Sequence, residues 1–322
     1  MRRMIRILGL PLFLLAGGWT ACWSYGLTLA KAELARLERD ETSAGIRLSC
    51  GEPSWSGFPI QIRLDCEPFS IVATATDETV LAVPHMQFLA QLFDASRILA
   101  VADGAMQISN RKDSLTLAPT RLVASIRHTA PEELALFGQQ VETGGGFAAG
   151  LLNMRLTRDS SSNPRRITFA LEARDAFFGL PVAADTPFEQ VTATGVLRTA
   201  SAAPLMAPAL LNAMKLEGTV LEIDSLRLHQ KDVTVSGRGV LTVDEDARLN
   251  GKLNLTIENA GGLIGRFEAA GLLTASEARN GTMLLGLLTG SGGKVRISLQ
   301  ANDGEIFLGP VKLGRLKPFS GS

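Results

Sequence analysis

The stretch VTVSGRGVLTVDEDARLNGKLNLTIE, residues 233–258, decides the fold class. Val233, Val235, Gly237, Gly239, Leu241 and Val243 alternate with Thr234, Ser236, Arg238 and Thr242. After Asp244-Glu245-Asp246, Leu249, Gly251, Leu253, Leu255 and Ile257 alternate with Asn250, Lys252, Asn254, Thr256 and Glu258. Side chains of a strand point to opposite faces in turn, so this period of two predicts a twisted antiparallel hairpin with one wet face. The acidic trio reads as its solvated tip. Just upstream the parity slips between Leu221/Ile223 and Leu226/Leu228, which predicts a bulge at Asp224-Ser225.

The same alternation extends outward in both directions. Downstream, residues 294–300 and 305–308 predict a last hairpin turning at Asp303-Gly304. Between the hairpins, Leu263, Ile264, Phe267 and Leu272 suggest an amphipathic helix, and Thr274-x-x-Glu277 a capping box for a second helix to about Leu288. Upstream, strands are expected at 71–75, 79–83, 98–109, 114–127, 150–157, 166–173 and 191–198. Residues 88–93 fit either a short helix or a strand. Pro131 to Ala135 reads as a helix start, with Glu132 and Glu133 in the first turn. The Ala/Pro/Ser-rich residues 199–208 suggest a boundary, and 210–214 a short helix.

The N-terminal 7–30 stretch, ILGLPLFLLAGGWTACWSYGLTLA, carries no charge. As a helix it would be about 36 Å long, enough for a hydrocarbon layer of about 30 Å. Arg2, Arg3 and Arg6 precede it, and Trp19, Trp23 and Tyr25 fall at its far end, where a headgroup layer suits them. This predicts an uncleaved anchor. A cleaved signal fits the same start but lacks a clean small-x-small site, and lipidation at Cys22 is a near miss because Trp19 stands where an aliphatic residue is wanted. All three readings put the bulk of the chain outside the cytoplasm. Leu27, Ala30, Leu34 and Leu37 continue the helical period as a stalk ending near Ala44-Gly45. The expected organisation is therefore anchor and stalk at 1–43, a β-rich region at 44–200, and an antiparallel β region with a helical insertion at 201–322. The class is α+β, mostly antiparallel β with a few packing helices, behind one N-terminal transmembrane helix.

In an oxidising compartment two of the three cysteines, Cys50 and Cys66, are expected to pair. Ile46 and Leu48 share a strand side with Cys50, and Ile60, Ile62 and Leu64 share one with Cys66, so both thiols face inward. Between them runs a turn, Gly51 to Pro59, carrying Trp55 and Phe58. Two unpaired buried thiols are the alternative.

A short helix after an apolar anchor, then strand, Cys, Ser-Gly-Phe-Pro, alternating strand and Cys, resembles the start of a family of Gram-negative envelope proteins, domain of unknown function 2125. The hairpins of residues 216–258 and the ending Asn302-Asp303-Gly304-Glu305-Ile306-Phe307-Leu308-Gly309-Pro310-Val311 are also similar. The resemblance implies an inner-membrane anchor, a periplasmic body and this architecture. It implies no reaction and no catalytic residues.

Composition narrows the function classes. With 32 basic and 32 acidic residues, neither nucleic acid nor a polybasic grip on lipid is expected. Aromatics at 6% do not suit sugar- or base-stacking surfaces. His85, His128 and His229 have no partner at ligand spacing in sequence, so no metal or other cofactor is expected. Gly290-Ser291-Gly292-Gly293-Lys294 lacks the spacing of a phosphate loop and feeds a strand. No enzyme is expected. The alternating apolar faces fit either an ordinary core covered by helices or a groove for an acyl chain or other apolar ligand. Leu253, Leu255 and Ile257 are the candidate ligand-binding residues. The competing expectation is a scaffold that binds an envelope protein without ligand.

Overall fold

The computed structural model describes residues 2–39, 46–73, 79–109, 114–144, 146–158, 166–178, 186–199, 219–244, 248–269, 274–276, 278–280, 282–283, 294–308 and 311–315. Among the described residues one long helix, α1 (Arg2–Arg39), is followed by twenty strands in a single hydrogen-bonded sheet. Every strand pairing is antiparallel.

The main row starts with β2 (Ser54–Ser56), β3 (Gln61–Cys66), β6 (His85–Gln91), β7 (Asp94–Asp103) and β10 (Arg121–Arg127). From β11 (Glu132–Thr143) onward each strand pairs with the next in sequence. These are β12 (Ala148–Arg158), β13 (Arg166–Ala176), β14 (Phe188–Arg198), β15 (Val220–Gln230), β16 (Val233–Val243), β17 (Leu249–Glu258), β18 (Lys294–Asn302), β19 (Glu305–Leu308) and β20 (Val311–Arg315). A side branch leaves at β11 through β9 (Ser114–Ala118), β8 (Met106–Ser109), β5 (Thr79–Val83), β4 (Phe69–Ala73) and β1 (Ile46–Cys50).

The branch lies over the first strands of the row. Phe69 of β4 meets Phe88 of β6 with ring centroids 5.1 Å apart, and Cys50 of β1 is bonded to Cys66 of β3. Between the layers sits a closed core of Leu64, Cys66, Phe69, Val83, Met86, Ala100, Ala102 and Met106. The expected disulfide is thus present, on the inward side of both strands.

Several expectations match the ladders. The register shifts between Ile223 and Leu226, where the parity slip predicts a bulge, and again opposite it between Thr194 and Gly195. The last hairpin turns at Asp303 and Gly304, both with positive φ. A helix, α2 (Ala260–Ala269), follows β17. Residues 275–276, 278–280 and 282–283 are helical too, Ala278 N–H donating to Thr274 O at 2.9 Å; Glu277 and residues 284–293 lie outside the described residues. So do residues 200–218, which include the expected boundary and short helix. The β14–β15 ladder, with its one register shift at Thr194/Gly195, pairs strands from either side of that stretch, so one sheet joins the two halves.

Two expectations need correction, and a third lacks support. Residues 132–135 begin β11, not a helix: Glu133 and Glu132 meet Arg155 and Arg158 across the ladder, at 3.5 and 3.9 Å, which replaces any benefit of a helix first turn. α1 is not a free stalk, because its second half packs on the body. Leu34 joins the closed core, and Glu38 Oε1 accepts the Cys50 N–H at 3.0 Å. Among the described residues, moreover, no helix is long and apolar enough to cross a membrane. The side chains of α1 are described from Leu14 on, and Trp19, Thr20, Ser24, Tyr25 and Thr28 dilute the apolar character of that part. The expected span over 7–30 has no support from the described residues.

A candidate apolar ligand face

Cross-strand partners in an antiparallel ladder point to the same face. Following the partners of Leu255 gives Gly237, Leu226, Ala193, Leu171, Met154 and Leu136 on one side and Ile297 on the other. Following Leu253 gives Gly239, Ile223, Gly195, Phe169, Leu156 and Leu134, with Leu299 beyond. These two rows run side by side across eight strands, β11 to β18, which is about 34 Å at the usual strand spacing. Apart from Gly195 they are only half-buried.

The flanking rows of the same face are more closed. On one side Ala173, Val191, Val233, Ile257 and Val295 are buried, under Phe147, Phe188 and the start of α2 at Ala260. On the other, Ile167 and Leu197 are buried beside Arg158. Burial drives the Arg158 guanidinium pKa down, and Glu132 pulls it partly back. The result is a half-buried apolar band between two margins that are more deeply buried in part.

Glycines let strands approach closely along the band. A Cβ on Gly195 would meet Glu222 O at 2.0 Å, and one on Gly239 would meet Lys252 O at 2.1 Å. A Cβ on Gly237 would meet only the end of Leu255, Cδ2, at 2.4 Å, with Asn254 O next at 3.1 Å. At the bulge a hollow of about 740 Å³ borders Asp224, Ser225, Leu226, Gly237, Arg238, Leu255 and Ile297.

The two rows continue beyond β11 toward the N-terminus, through Leu134 to Ile126, Ile98, Ala90 and Ile62, and through Leu136 to Ala124, Ala100, Phe88 and Leu64. There α1 covers them. Between helix and sheet lies a cavity of about 310 Å³, lined by Leu34, Leu37, Trp55, Ile62, Phe88, Ile98 and Ile126 among others. Cavity and band thus lie on one continuous face.

Of the three candidate residues, Leu253 and Leu255 are half-buried on the band, whereas Ile257 is 8% exposed and packs with Val233, Ala260 and Val295. The sequence places no acid near His85, but the fold does. Its Nδ1 lies 3.4 Å from Asp103 and its Nε2 3.7 and 3.8 Å from Asp65 and Glu67. His85 and Asp103 are direct ladder partners, a proximity that only the strand register reveals. His229 lies 3.3 Å from Glu189 and 3.0 Å from Thr234 Oγ1. Among the described residues no three His, Cys, Asp or Glu side chains are grouped to hold a metal ion. Asp244 of the hairpin tip accepts from Arg248 N–H at 2.9 Å and Asn250 Nδ2 at 2.8 Å, which closes the loop; Glu245 and Asp246 lie outside the described residues.

A profile of the family described as "uncharacterized protein conserved in bacteria (DUF2125)" matches residues 23–317 of this chain. No curated protein matches it.

Proposed function

The chain belongs to the DUF2125 family of bacterial proteins, and from that premise we propose that it holds an acyl chain or another apolar ligand on the β11–β18 face, in maintenance of the cell envelope. In this reading the protein is not an enzyme. Residues 7–30 anchor it in the inner membrane, and the body lies in the periplasm, which suits the Cys50–Cys66 bond.

One observation carries the reading: two adjacent rows, with Leu, Ile, Met or Phe on six of the eight strands β11 to β18, remain only half-buried apart from Gly195, while the rows beside them are fully buried at about half of their positions. A contiguous apolar surface of this extent that the fold leaves incompletely buried marks an interaction site. The band's length of about 34 Å exceeds a single leaflet's share of a hydrocarbon core of about 30 Å, so a lipid tail fits along it. Leu253 and Leu255 form its wall, and Ile257 belongs to the packed margin that supports them.

Photocrosslinking tests this. The full chain is reconstituted in phosphatidylethanolamine and phosphatidylglycerol vesicles containing a phospholipid with a diazirine in its acyl chain, irradiated and digested. Adducts are expected on β12 to β17, at Met154, Leu171 and Leu255, as far as about 29 Å from β11. Adducts confined to residues 7–30 and the neighbouring loops would reject the ligand face. Protein crosslinks to the same strands in envelope extracts would favour the scaffold.

A further inference from the structure

We propose that the β body does not hang clear of the bilayer but is seated in its outer boundary, with two loop tips, Phe58 to Ile60 and Phe93, dipping beside α1 into the headgroup and upper acyl layer. This rests on the anchor reading above and adds an interaction surface to it.

The two loops clasp α1 at one level. Trp19 Nε1 donates to Pro59 O at 2.9 Å, and Trp23 Nε1 donates to Gln61 O at 3.0 Å. Trp19 stacks on Phe93 with centroids 5.2 Å apart, and Trp23 meets Phe58 edge-on at 5.4 Å. The indole N–H groups are therefore satisfied by backbone carbonyls and need no water, which leaves the rings free to sit in an apolar layer. Yet the tips are turned outward: Phe93 is 75% exposed, Ile60 61% and Phe58 55%. Leu15, one helical turn before Trp19, and its neighbour Leu14 are equally bare. One such residue is ordinary on a surface; a contiguous group drawn from two loops and a helix is not.

The level of this collar argues for a bilayer as its occupant. Trp19 and Trp23 lie 13 to 17 residues beyond Arg6, about 20–26 Å along a helix, so basic residues and rings bracket nearly a hydrocarbon thickness of about 30 Å. Aromatic rings gather at that boundary. Behind the Phe93 tip the ladder sets Arg97 opposite Arg127, and Arg127 opposite Glu133, which Arg155 meets. Asp94 also faces Arg97 and Arg127. Three guanidinium groups against two carboxylates give a small cationic excess where anionic headgroups would lie. A second protein would cover one side of the collar, whereas a bilayer surrounds helix and tips at once. Seated this way, the cavity under α1, lined on the helix by Ala30, Glu33, Leu34 and Leu37, begins about 10 Å along the helix beyond Trp23.

The test uses the full chain with Cys22→Ser, so that one added thiol can carry an environment-sensitive nitrobenzoxadiazole label. Ile60→Cys and Phe93→Cys probe the tips, and Arg238→Cys on the distant β16 is the control. Each is reconstituted in phosphatidylethanolamine–phosphatidylglycerol vesicles, with or without chain-brominated lipid, and tryptophan quenching is read in the same samples. The expected result is blue-shifted labels at 60 and 93, quenched at least twofold by brominated lipid, with an unaffected label at 238. Water-like labels at 60 and 93 alongside quenched tryptophans would overturn the seating and leave the anchor standing. A blue shift without bromine quenching would assign the collar to a protein neighbour instead. Unquenched tryptophans would remove the anchor reading and the seating together.

Discussion

Gly237 and Gly239 stand two residues apart on the same strand and face, yet adding one methyl to each should have very unequal consequences. At Gly239 the new Cβ would lie 2.1 Å from Lys252 O and 2.8 Å from Leu253 Cα, both backbone of β17. Neither can move without parting the ladder, so the upper end of the overpacking range, about 2–3 kcal/mol, applies. The gain from stiffening the unfolded chain, roughly 0.4–1 kcal/mol, leaves a net loss of about 2 kcal/mol. At Gly237 the nearest atom is Leu255 Cδ2, the end of a flexible side chain. An off-rotamer Leu255 costs about 0.5–1.5 kcal/mol, which the same entropy gain nearly cancels. At roughly 2–4 °C per kcal/mol for a body of this size, Gly239→Ala should melt about 4–8 °C below wild type. Gly237→Ala should melt within about 2 °C of it. Intrinsic fluorescence melts of the full chain in lipid nanodiscs supply the comparison. Equal losses at both positions would refute the argument, since the strands would then not approach as described. Gly237→Leu goes one step further. It drops a side chain onto the half-exposed band, so photolipid adducts at Met154 and Leu171 should fall several-fold while the fold persists.

Three further outcomes are expected. Reducing the Cys50–Cys66 bond, which closes a separation of 16 residues, should destabilise by about 3 kcal/mol in the chain-entropy model; reductant should raise the mass by two hydrogens and lower the melting temperature together. Ile257→Ala removes a side chain 8% exposed and should cost about 2–4 kcal/mol; Leu253→Ala, on the half-buried band, should cost less in the same melt. Glu258 is held below its ordinary carboxylate range by the hydrogen bond from Lys294, then by that residue's charge. A depressed carboxyl pKa stabilises above the unfolded value and stops doing so as pH falls through the folded one. Melting temperature of wild type minus Glu258→Gln should therefore stay constant down to about pH 4.5 and shrink below it; a difference that grows on acidification would contradict the ion pair.

Alternation was enough to read most of the strands, because a sheet with one wetter face writes its period directly into the chain. The bulge opposite Asp224 was legible for the same reason: it breaks that period. The inward-facing thiols followed from parity alone. What alternation does not carry is the partner of each strand. Glu132 and Glu133 look like a helix start until Arg158 and Arg155 come beside them from another strand. His85 looks isolated until β3 and β7 flank it with Asp65 and Asp103. Leu34 and Leu37 announce an amphipathic helix, but their pattern does not say that it lies on Ile62, Phe88 and Ile98.

Alternation is also silent on whether an apolar face is covered, and here the topology supplies the argument. Leu64, Phe88 and Ala100 lie on the same row as Met154, Leu171 and Leu255, and nothing in residue type separates the two groups. They differ in what lies above them. The side branch β1-β4-β5-β8-β9 rejoins the sheet at the end of β11, where Glu142 and Thr143 pair with it. Past that junction, among the described residues, the branch contributes no further strand, and the middle rows become half-exposed. Leaving large apolar side chains in water forgoes about 25 cal/mol for each Å². A chain that keeps Leu, Met, Phe or Ile on six of the eight strands beyond its own cover retains a surface whose stabilisation depends on what lies against it.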